Sequence, residues 1–225
     1  PVDKEGAKVM YAINPREAKY DPRTIKAAAL IFYAAGEDWT MPSEGWDQTN
    51  FGLFSGDDAM GGASYKHLEE EFKKLRGKKV VISECGHGYR STRHEAVNWS
   101  GDAEAFPMES SVITMLNYIK EGKIKIDKSK NPGRYTFHDS CNPARAMGLL
   151  EEPRYVLKNV CNNFHDMPPG TIREHTFCCG GGAGTGTDEF MEMRLRGGMP
   201  RGMAVKHVKE QHGVNQLCAM CAIDR

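Results

Sequence analysis

Cysteines follow predicted β-strands repeatedly in the second half of this 225-residue chain, and this repetition constrains the fold more than any other feature. The predicted strands and the cysteines after them are 134–138 with Cys141, 172–177 with Cys178, and 214–217 with Cys218. Runs rich in β-branched and aromatic residues, bounded by turn residues, are typical of strands. Because the carboxyl ends of parallel strands meet at one edge of a sheet, we expect these cysteines to converge there.

Helical segments alternate with the predicted strands along the whole chain. Further strands are predicted at 8–13 and 78–83, and helices at 23–35, 64–75, 108–121, 151–162, 188–195 and 201–212. Alternation of this kind predicts an α/β fold with small, largely parallel sheets flanked by helices.

The two halves resemble each other, which indicates a duplicated unit. The segment 80–88 can be aligned with 214–221. In both, a predicted strand leads to a cysteine, Cys85 or Cys218, and the position three residues later is Gly88 or Cys221. We therefore predict two domains, 1–125 and 126–225. The first is a degenerate copy that retains only Cys85, and the second has the complete set of cysteines.

Composition excludes several classes of protein. Lys plus Arg and Asp plus Glu both number 30, so bulk charge does not favour a nucleic-acid partner. The longest apolar run, 27–35, is far shorter than the roughly 20 residues that span a membrane. Seven cysteines, an odd number, argue against a disulfide framework and favour metal ligation in a reducing compartment. The chain begins with Pro1 rather than methionine, so a longer or processed protein is expected.

Five cysteines form the candidate metal-binding set. They are Cys141, Cys178, Cys179, Cys218 and Cys221, with 36 residues between the first two and 38 between Cys179 and Cys218. Zinc takes four ligands in a tetrahedron, into which adjacent cysteines fit poorly, whereas an iron–sulfur cluster offers several irons. The glycines after Cys179, beginning with Gly180 and Gly181, allow backbone N–H groups to approach cluster sulfurs.

Other interpretations of these residues remain open. The cysteines of a structural zinc domain, a dithiol oxidoreductase using Cys218 and Cys221, or buried free thiols would each account for part of the pattern. The last interpretation suits Cys161, which lies on an apolar helix face. The glycine run is also compatible with a phosphate loop, but it lacks the Lys-Ser/Thr ending.

The pattern Cys–x36–Cys-Cys-Gly–x37–Cys-x-x-Cys resembles the CCG signature of heterodisulfide-reductase-type proteins. The segments 138–145, His-Asp-Ser-Cys-Asn-Pro-Ala-Arg, and 151–154, Glu-Glu-Pro-Arg, are also similar to that family. Within it, the chain is most similar to the K subunit of the membrane complex associated with dissimilatory sulfite reduction. The resemblance covers essentially the whole chain, but the first half lacks the CC pair, and Gly88 stands in place of its last cysteine.

The resemblance implies a function. The five cysteines would bind one non-cubane [4Fe–4S] cluster, which reduces a disulfide or trisulfide on a small sulfur-carrier protein or thiol cofactor. Electrons would come from a membrane cytochrome, or quinol-oxidising, subunit and a ferredoxin-type donor. The latter is a module upstream of Pro1 or another subunit, since no ferredoxin motif is present. The protein would be cytoplasmic, on the inner face of the membrane through its partner subunits.

Candidate catalytic residues lie in the first half. Cys85 is an additional ligand, a thiol that captures half of a substrate disulfide, or a buried structural cysteine. His87 is positioned in sequence to supply a proton, and Arg90 to hold a substrate carboxylate, although both are equally compatible with a solvated polar loop. His138 is expected to be a structural hydrogen-bonding residue rather than a ligand.

Overall fold

The computed structural model describes residues 1–47, 51–101, 106–221 and 224. Its contacts divide the chain into two compact units, Pro1–Ile124 and Lys125–Arg225. Each unit contains a parallel sheet with helices around it, which confirms the predicted α/β class. The assignment of 1–125 as a degenerate copy and of 126–225 as the complete copy stays a prediction. No helix in the described part of the chain has the length and apolar character needed to span a membrane.

The sheet of the first unit has four parallel strands in the order β2-β1-β3-β4. These strands are β1 (Val9–Ala12), β2 (Trp39–Thr40), β3 (Lys79–Ile82) and β4 (Met108–Ser110). The central pair is in register from Val9 opposite Lys79 to Ala12 opposite Ile82. Both central strands are almost entirely buried, as their uninterrupted apolar sequences require.

Helices surround this sheet. They are α1 (Pro15–Tyr20), α2 (Pro22–Ala34), α3 (Phe51–Ser55), α4 (Asp58–Lys74), α5 (Gly86–Arg90), α6 (Ala96–Ser100) and α7 (Ser111–Lys120). Of these, α1, α4 and α5 begin at residues whose side chains cap them. The first helix has a capping box, in which the Asn14 side chain accepts from a backbone N–H and Glu17 accepts from the backbone N–H of Asn14. A π-helical turn at Ser91–Glu95 joins α5 to α6.

One core cluster of the first unit lies between the sheet and α2. Its buried members are Val9, Tyr11, Ile13, Phe32, Val81 and Tyr118. Tyr11 and Phe32 meet edge to face, with ring centroids 5.3 Å apart. Burying each large apolar side chain contributes about 1.5–3 kcal/mol relative to exposure, so this cluster holds the sheet against the helix.

The second unit has three parallel strands in the order β6-β5-β7. Its elements are β5 (Arg134–His138), α8 (Glu152–Val160), β6 (Asn163–Phe164), α9 (Met191–His212) and β7 (Gln216–Ala219). The register of β5 and β7 ends with His138 opposite Ala219, so the segments that follow the two strands leave the sheet at the same edge. Buried Met167, Ile172, Ala204, Val208 and Val214 form the apolar cluster beneath α9.

Two predictions for the second unit are wrong. Residues 172–177 are not a strand, because β6 already pairs with β5 on the side that β7 leaves free, and Arg173 has a positive φ of 56°. Instead, Arg173–His175 is a 3-10 turn. Of the predicted helices 188–195 and 201–212, residues 188–190 form a 3-10 turn and the rest belongs to the single helix α9, in which Pro200 is accommodated. The packing of Ala204 and Val208 into the core outweighs the proline, which costs about 3 kcal/mol inside a helix.

Two smaller predictions also differ from the structure. The predicted helix 108–121 begins with the short strand β4 before α7 starts at Ser111. The predicted strand 214–217 is observed two residues later, at Gln216–Ala219, so Cys218 lies inside β7 rather than after it.

Candidate metal centre

The carboxyl edge of the second sheet presents cysteines from two adjacent strands. Cys141 comes three residues after the end of β5 and begins a π-helical turn at Asn142–Ala146. Cys218 pairs with Phe137 inside β7, and Cys221 follows two residues after that strand ends. Since adjacent strands are about 4.8 Å apart, the strand register alone brings these three segments to one edge. Cys141 is exposed, Cys218 is half-buried and Cys221 is buried.

The loop that contains Cys178 and Cys179 is shaped by glycines. Gly180 has a φ of +86° and Gly182 a φ of +78°, a region that glycine enters without steric cost. A side chain at Gly180 would lie 2.8 Å from the carbonyl oxygen of Arg194 in α9. On the other side of the contact, a side chain at Gly198 would lie 2.9 Å from the carbonyl oxygen of Cys179. The absence of side chains therefore allows the loop to pack directly on the α9 backbone.

Backbone N–H groups of this loop point at the sulfur atoms. The Gly180 N–H donates to Cys178 Sγ over 3.3 Å, and the Gly181 N–H donates to Cys179 Sγ over 3.2 Å. Hydrogen bonds of this kind stabilise thiolates and tune the potential of iron–sulfur clusters. These two N–H groups would therefore stabilise negative charge on the sulfur atoms of Cys178 and Cys179.

A buried polar network ties the Cys141 segment to the Cys178 loop. The Oγ1 hydroxyl of Thr176 donates to the carbonyl oxygen of Asp139 over 2.7 Å. The Asp139 carboxylate accepts two hydrogen bonds from Arg154, at 2.7 and 2.6 Å, and one from the Arg173 backbone N–H at 2.8 Å. Arg145 adds hydrogen bonds to the carbonyls of Glu174 and Thr176. Segments 37 residues apart in sequence are thereby fixed to each other.

Two further polar side chains lie beside Cys179. The ligand atoms of His138, Cys179 and Asp224 are all within 4.8 Å of one another. Asp224 also accepts a short hydrogen bond from Ser140 and lies 3.7 Å from His138 Nε2. His138 is buried, and among the described residues its Nδ1 has no hydrogen-bond partner, so its environment is not that of a fully satisfied structural histidine.

The surroundings of Cys141 and Cys179 oppose the loss of their thiol protons. Burial, reinforced by the negative charge of Asp224, raises the pKa of Cys179 to about 12. Partial desolvation of its thiol and the charges of Asp224 and Cys178 likewise raise the pKa of Cys141 above its usual value, although the residue as a whole is exposed. Burial lowers the pKa of His138, against the attraction of Asp224. A cationic metal would reverse this balance, because a coordinating thiol loses its proton.

A groove opens beside the CC loop. Its volume is about 410 Å³, and Cys179, Gly180, Met191, Arg194 and Leu195 are among its lining residues. Met191 and Leu195 are 42% and 65% exposed, so the groove has an apolar rim on α9. The dimensions suit a small molecule or a short peptide segment.

Two candidate catalytic residues of the first unit, Cys85 and His87, are buried. Cys85 is buried, and its Sγ accepts hydrogen bonds from Asn14 Nδ2 at 3.2 Å and from the Gly88 N–H at 3.3 Å. His87 is buried edge-on against Phe54, with ring centroids 4.7 Å apart. Their catalytic roles stay predictions.

The strand register changes the expected match between the two halves. Cys85 lies three residues past the end of β3, whereas Cys218 lies within β7. Cys85 therefore corresponds in position more closely to Cys221 than to Cys218, the match predicted from sequence. Arg90 forms an ion pair with Glu95 at 2.9 Å, so its guanidinium is already engaged by a neighbouring carboxylate. Its role in holding a substrate carboxylate stays a prediction.

Sequence patterns did not indicate several residues of this site. Arg154 belongs to the segment 151–154, which resembles the family, but the sequence predicts no role for it. No motif or spacing points to Thr176, Arg201 or Asp224. Polar residues that act through buried hydrogen bonds have no characteristic spacing, so only the fold reveals them. The expectation that Cys161 is a buried thiol agrees with its 4% exposure at the end of α8.

The residues present fit an iron–sulfur cluster. The donor set consists of soft thiols, two of them adjacent, and backbone N–H groups already point at their sulfur atoms. Soft thiolates of this kind select iron–sulfur clusters, zinc or copper(I). Together, the parallel sheet edge, the cysteine loop and the buried polar network define a parallel α/β protein with a thiol site suited to metal binding.

Comparison with known proteins narrows this class. An Hdr-like menaquinol oxidoreductase iron–sulfur subunit of Archaeoglobus profundus is 40% identical over 266 aligned residues, covering 100% of this chain and 47% of the relative. A second such subunit, from Archaeoglobus fulgidus, has the same identity and coverage. One subunit of the dihydromethanophenazine:CoB–CoM heterodisulfide reductase of Methanosarcina mazei is 32% identical over 120 residues, covering 53% of this chain and 28% of the relative.

The chain belongs to the family of heterodisulfide-reductase-like iron–sulfur subunits. It spans about half the length of the curated relatives it matches. No protein-family model matches the sequence, and no solved structure matches the chain. The family resemblance predicted from sequence is therefore confirmed, while the narrower resemblance to the sulfite-reduction subunit stays a prediction.

Proposed function

We propose that the chain is an electron-transfer subunit that reduces a disulfide or trisulfide at a non-cubane [4Fe–4S] cluster. The register of β5 and β7, which brings the Cys141, Cys218 and Cys221 segments to one sheet edge, supports this function most strongly, together with the N–H groups directed at Cys178 and Cys179. The proposed ligands are Cys141, Cys178, Cys179, Cys218 and Cys221. When bound, the cluster would supply single electrons to a sulfur–sulfur bond.

Each chemical requirement of the reaction can be assigned to residues of this chain. Reduction of a disulfide R–S–S–R′ consumes two electrons and two protons and releases RSH and R′SH. The groove beside Cys179 and Gly180 would bind the substrate, with Met191 and Leu195 contacting its apolar part. Gly180 and Gly181 would donate backbone hydrogen bonds to the thiolate ligands. His87 is the proposed proton source, and Arg90 would exchange its partner Glu95 for a substrate carboxylate.

Cys85 is proposed to capture one half of the substrate. Its sulfur accepts hydrogen bonds from Asn14 Nδ2 and the Gly88 N–H, which fix its position. The expected effect of Cys85→Ala is loss of turnover with an unchanged iron content. Loss of iron in this variant would instead make Cys85 an additional ligand, and unchanged turnover would leave it a structural residue.

The names of the relatives support quinol-linked electron transfer. We propose that the electrons come from a membrane menaquinol-oxidising cytochrome subunit, through a ferredoxin-type donor, and that the substrate is a small sulfur-carrier protein or a thiol cofactor disulfide. The protein would then work in the cytoplasm, at the inner face of the membrane. Sulfite reduction is one metabolism in which such a carrier would be used.

Metal and sulfide analysis tests the proposal. We expect anaerobically purified protein to contain iron and acid-labile sulfide, and to give a paramagnetic oxidised state whose EPR spectrum changes when a thiol substrate is added. Cys179→Ala should lose this iron, whereas Cys161→Ala, a matched buried thiol, should retain it. Iron-free wild-type protein after anaerobic purification and reconstitution would overturn the proposal.

A zinc site is the second candidate function. The nitrogen, sulfur and oxygen ligand atoms of His138, Cys179 and Asp224 lie close enough together to hold one ion. Such a protein would contain zinc without labile sulfide, and His138→Ala would reduce its zinc content. The iron–sulfur proposal predicts no loss of metal in that variant.

A further inference from the structure

Arg201 is a buried arginine whose direct partners in the described part of the chain are all uncharged. Only 4% of the residue is exposed. Its Nη2 donates to the Thr171 carbonyl and to Thr176 Oγ1, both at 2.6 Å, and its Nη1 donates to the Met167 sulfur at 2.6 Å. The guanidinium also lies 6.0 Å from the centre of the Phe177 ring. None of these partners neutralises its positive charge.

The described residues provide no ion-pair partner for this arginine. No carboxylate oxygen among them lies within 4.0 Å of the Arg201 guanidinium, and its buried Nε has no hydrogen-bond acceptor there. Arg154, equally buried in the same unit, has a paired environment, with Asp139 at 2.6 Å and Asp166 at 2.9 Å. A buried charge without a directly paired counter-charge destabilises a fold, and among the described residues Arg201 senses carboxylates only at longer range, from Asp139 and Asp224. An anionic group closer to its guanidinium would therefore stabilise it.

The position of Arg201 indicates where that anion belongs. Its partner Thr176 is two residues before Cys178, and Phe177 lies directly between them. The helix α9, which contains Arg201, also packs Gly198 against the backbone of Cys179. The cation is thus held against the base of the cysteine loop from one side.

Electrostatic interactions agree with this geometry. Burial lowers the pKa of Arg201 from its usual value. The negative charges of Asp139, Asp224 and a Cys179 thiolate oppose this effect, so the guanidinium senses charge at the loop. A site with several thiolate ligands carries a net negative charge, and it is a chemically appropriate partner for a buried cation that has no direct ion pair among the described residues.

We propose that Arg201 is the counter-cation of the thiolate-bound cluster and, through Thr176, a positioning residue for the Cys178–Cys179 loop. The inference rests on the proposed function, because it requires an anionic cluster at this site. A fixed positive charge stabilises the more reduced, more negative state of a redox centre. Arg201 therefore raises the midpoint potential at which the cluster accepts electrons.

The test compares the midpoint potential of the cluster in matched arginine variants. Arg201→Met removes the charge at similar length, and Arg201→Lys retains it. Arg196→Met is the control, since Arg196 lies on the same helix with its side chain 76% exposed and is ion-paired with Glu192. Each full-length variant would be purified anaerobically and studied by potentiometric redox titration, with the cluster followed by EPR. Iron and acid-labile sulfide would be determined per chain.

We expect a negative shift of the midpoint potential in Arg201→Met. We also expect the wild-type potential in Arg196→Met, and a shift less than half as large in Arg201→Lys. Equal potentials in Arg201→Met and Arg196→Met would overturn the inference while leaving the proposed function intact. Absence of iron and sulfide from the wild-type protein would overturn both.

Circular dichroism of the iron-free proteins decides the case in which Arg201→Met contains no cluster. An iron-free Arg201→Met protein that melts within a few degrees of iron-free wild type, while Arg201→Lys still takes up iron and sulfide, supports the counter-cation. An iron-free Arg201→Met protein that is unfolded, or equal loss of cluster in Arg201→Lys, shows that Arg201 acts only in folding and overturns the inference.

Discussion

The hydroxyl of Thr176 donates a hydrogen bond to the carbonyl of Asp139 over 2.7 Å, and it accepts one from Arg201 at 2.6 Å. One buried side chain therefore connects the end of β5, the cysteine loop and α9. The Cys141 and Cys178 segments depend on this link, since the strand predicted to lead to Cys178 does not exist.

Thr176→Val should destabilise the iron-free protein by about 1–3 kcal/mol, because the Arg201 donor and the Asp139 acceptor both lose a buried partner. Thr176→Ser keeps the hydroxyl and should cost less than about 1 kcal/mol, chiefly for the lost methyl group. Urea unfolding followed by circular dichroism measures the difference. Equal destabilisation of the two variants would mean that packing of the methyl, and not the hydrogen bonds, maintains the link.

Gly180→Ala should displace the cysteine loop and reduce the iron content of the protein. The new side chain would lie 2.8 Å from the Arg194 carbonyl, and a φ of +86° costs about 1–2 kcal/mol for alanine. Gly197→Ala is the control within α9, where the added methyl group meets no atom within 4 Å.

The control variant Gly197→Ala should stabilise α9 by about 0.5–1 kcal/mol, since alanine forms helices more readily than glycine. Iron per chain and the thermal midpoint would be compared for both variants. An unchanged iron content in Gly180→Ala would show that the loop tolerates a side chain at its closest approach to α9.

Runs of apolar, β-branched and aromatic residues predicted the parallel α/β class and the strands β1, β3 and β5, because β1 and β3 are buried on both faces and the carboxyl end of β5 is buried. The sequence pattern failed at 172–177, where apolar residues such as Ile172 pack beneath α9 in the core instead of joining the sheet. It also divided α9 at Pro200, because local propensity does not include the tertiary packing of Ala204 and Val208.

The candidate site was predictable only in part for a related reason. Thiols form a recognisable set because their chemistry is specific and the CC and CxxC spacings are rare. The polar groups around them, Asp139, Thr176 and Arg201, are ordinary residue types that become informative only when the fold shows which of them are buried and paired.

Asp47 should make the stability of the protein fall as the pH rises. Burial raises the pKa of its carboxyl to about 6, above the ordinary value of 3.8, so the folded state binds this proton more tightly than the unfolded chain. The stabilisation is full below the unfolded pKa and is lost as the pH rises through about 6. Since Asp47 is partly solvent-exposed, the change is discounted to about 1–2 kcal/mol.

The measurement for Asp47 compares Asp47→Asn with the wild type by urea unfolding at pH 4 and pH 8. The asparagine variant should gain about 1–2 kcal/mol relative to wild type between these values, because it retains a neutral side chain throughout. A free-energy difference between variant and wild type that is the same at both pH values would refute the assignment of this titration to Asp47.

Asp224 should suppress the reactivity of Cys179 in the iron-free protein. Burial and the neighbouring carboxylate raise the pKa of Cys179 to about 12, so almost none of it is thiolate at pH 8. Asp224→Asn removes one source of this shift, and alkylation by iodoacetamide should accelerate about tenfold for each unit by which the pKa falls. Cys161 is an internal control, because burial alone raises its pKa and Asp224 makes no contribution there. Rates for both cysteines follow from peptide mass spectrometry, and parallel acceleration of Cys179 and Cys161 would point to general loosening of the fold instead of removal of a local charge.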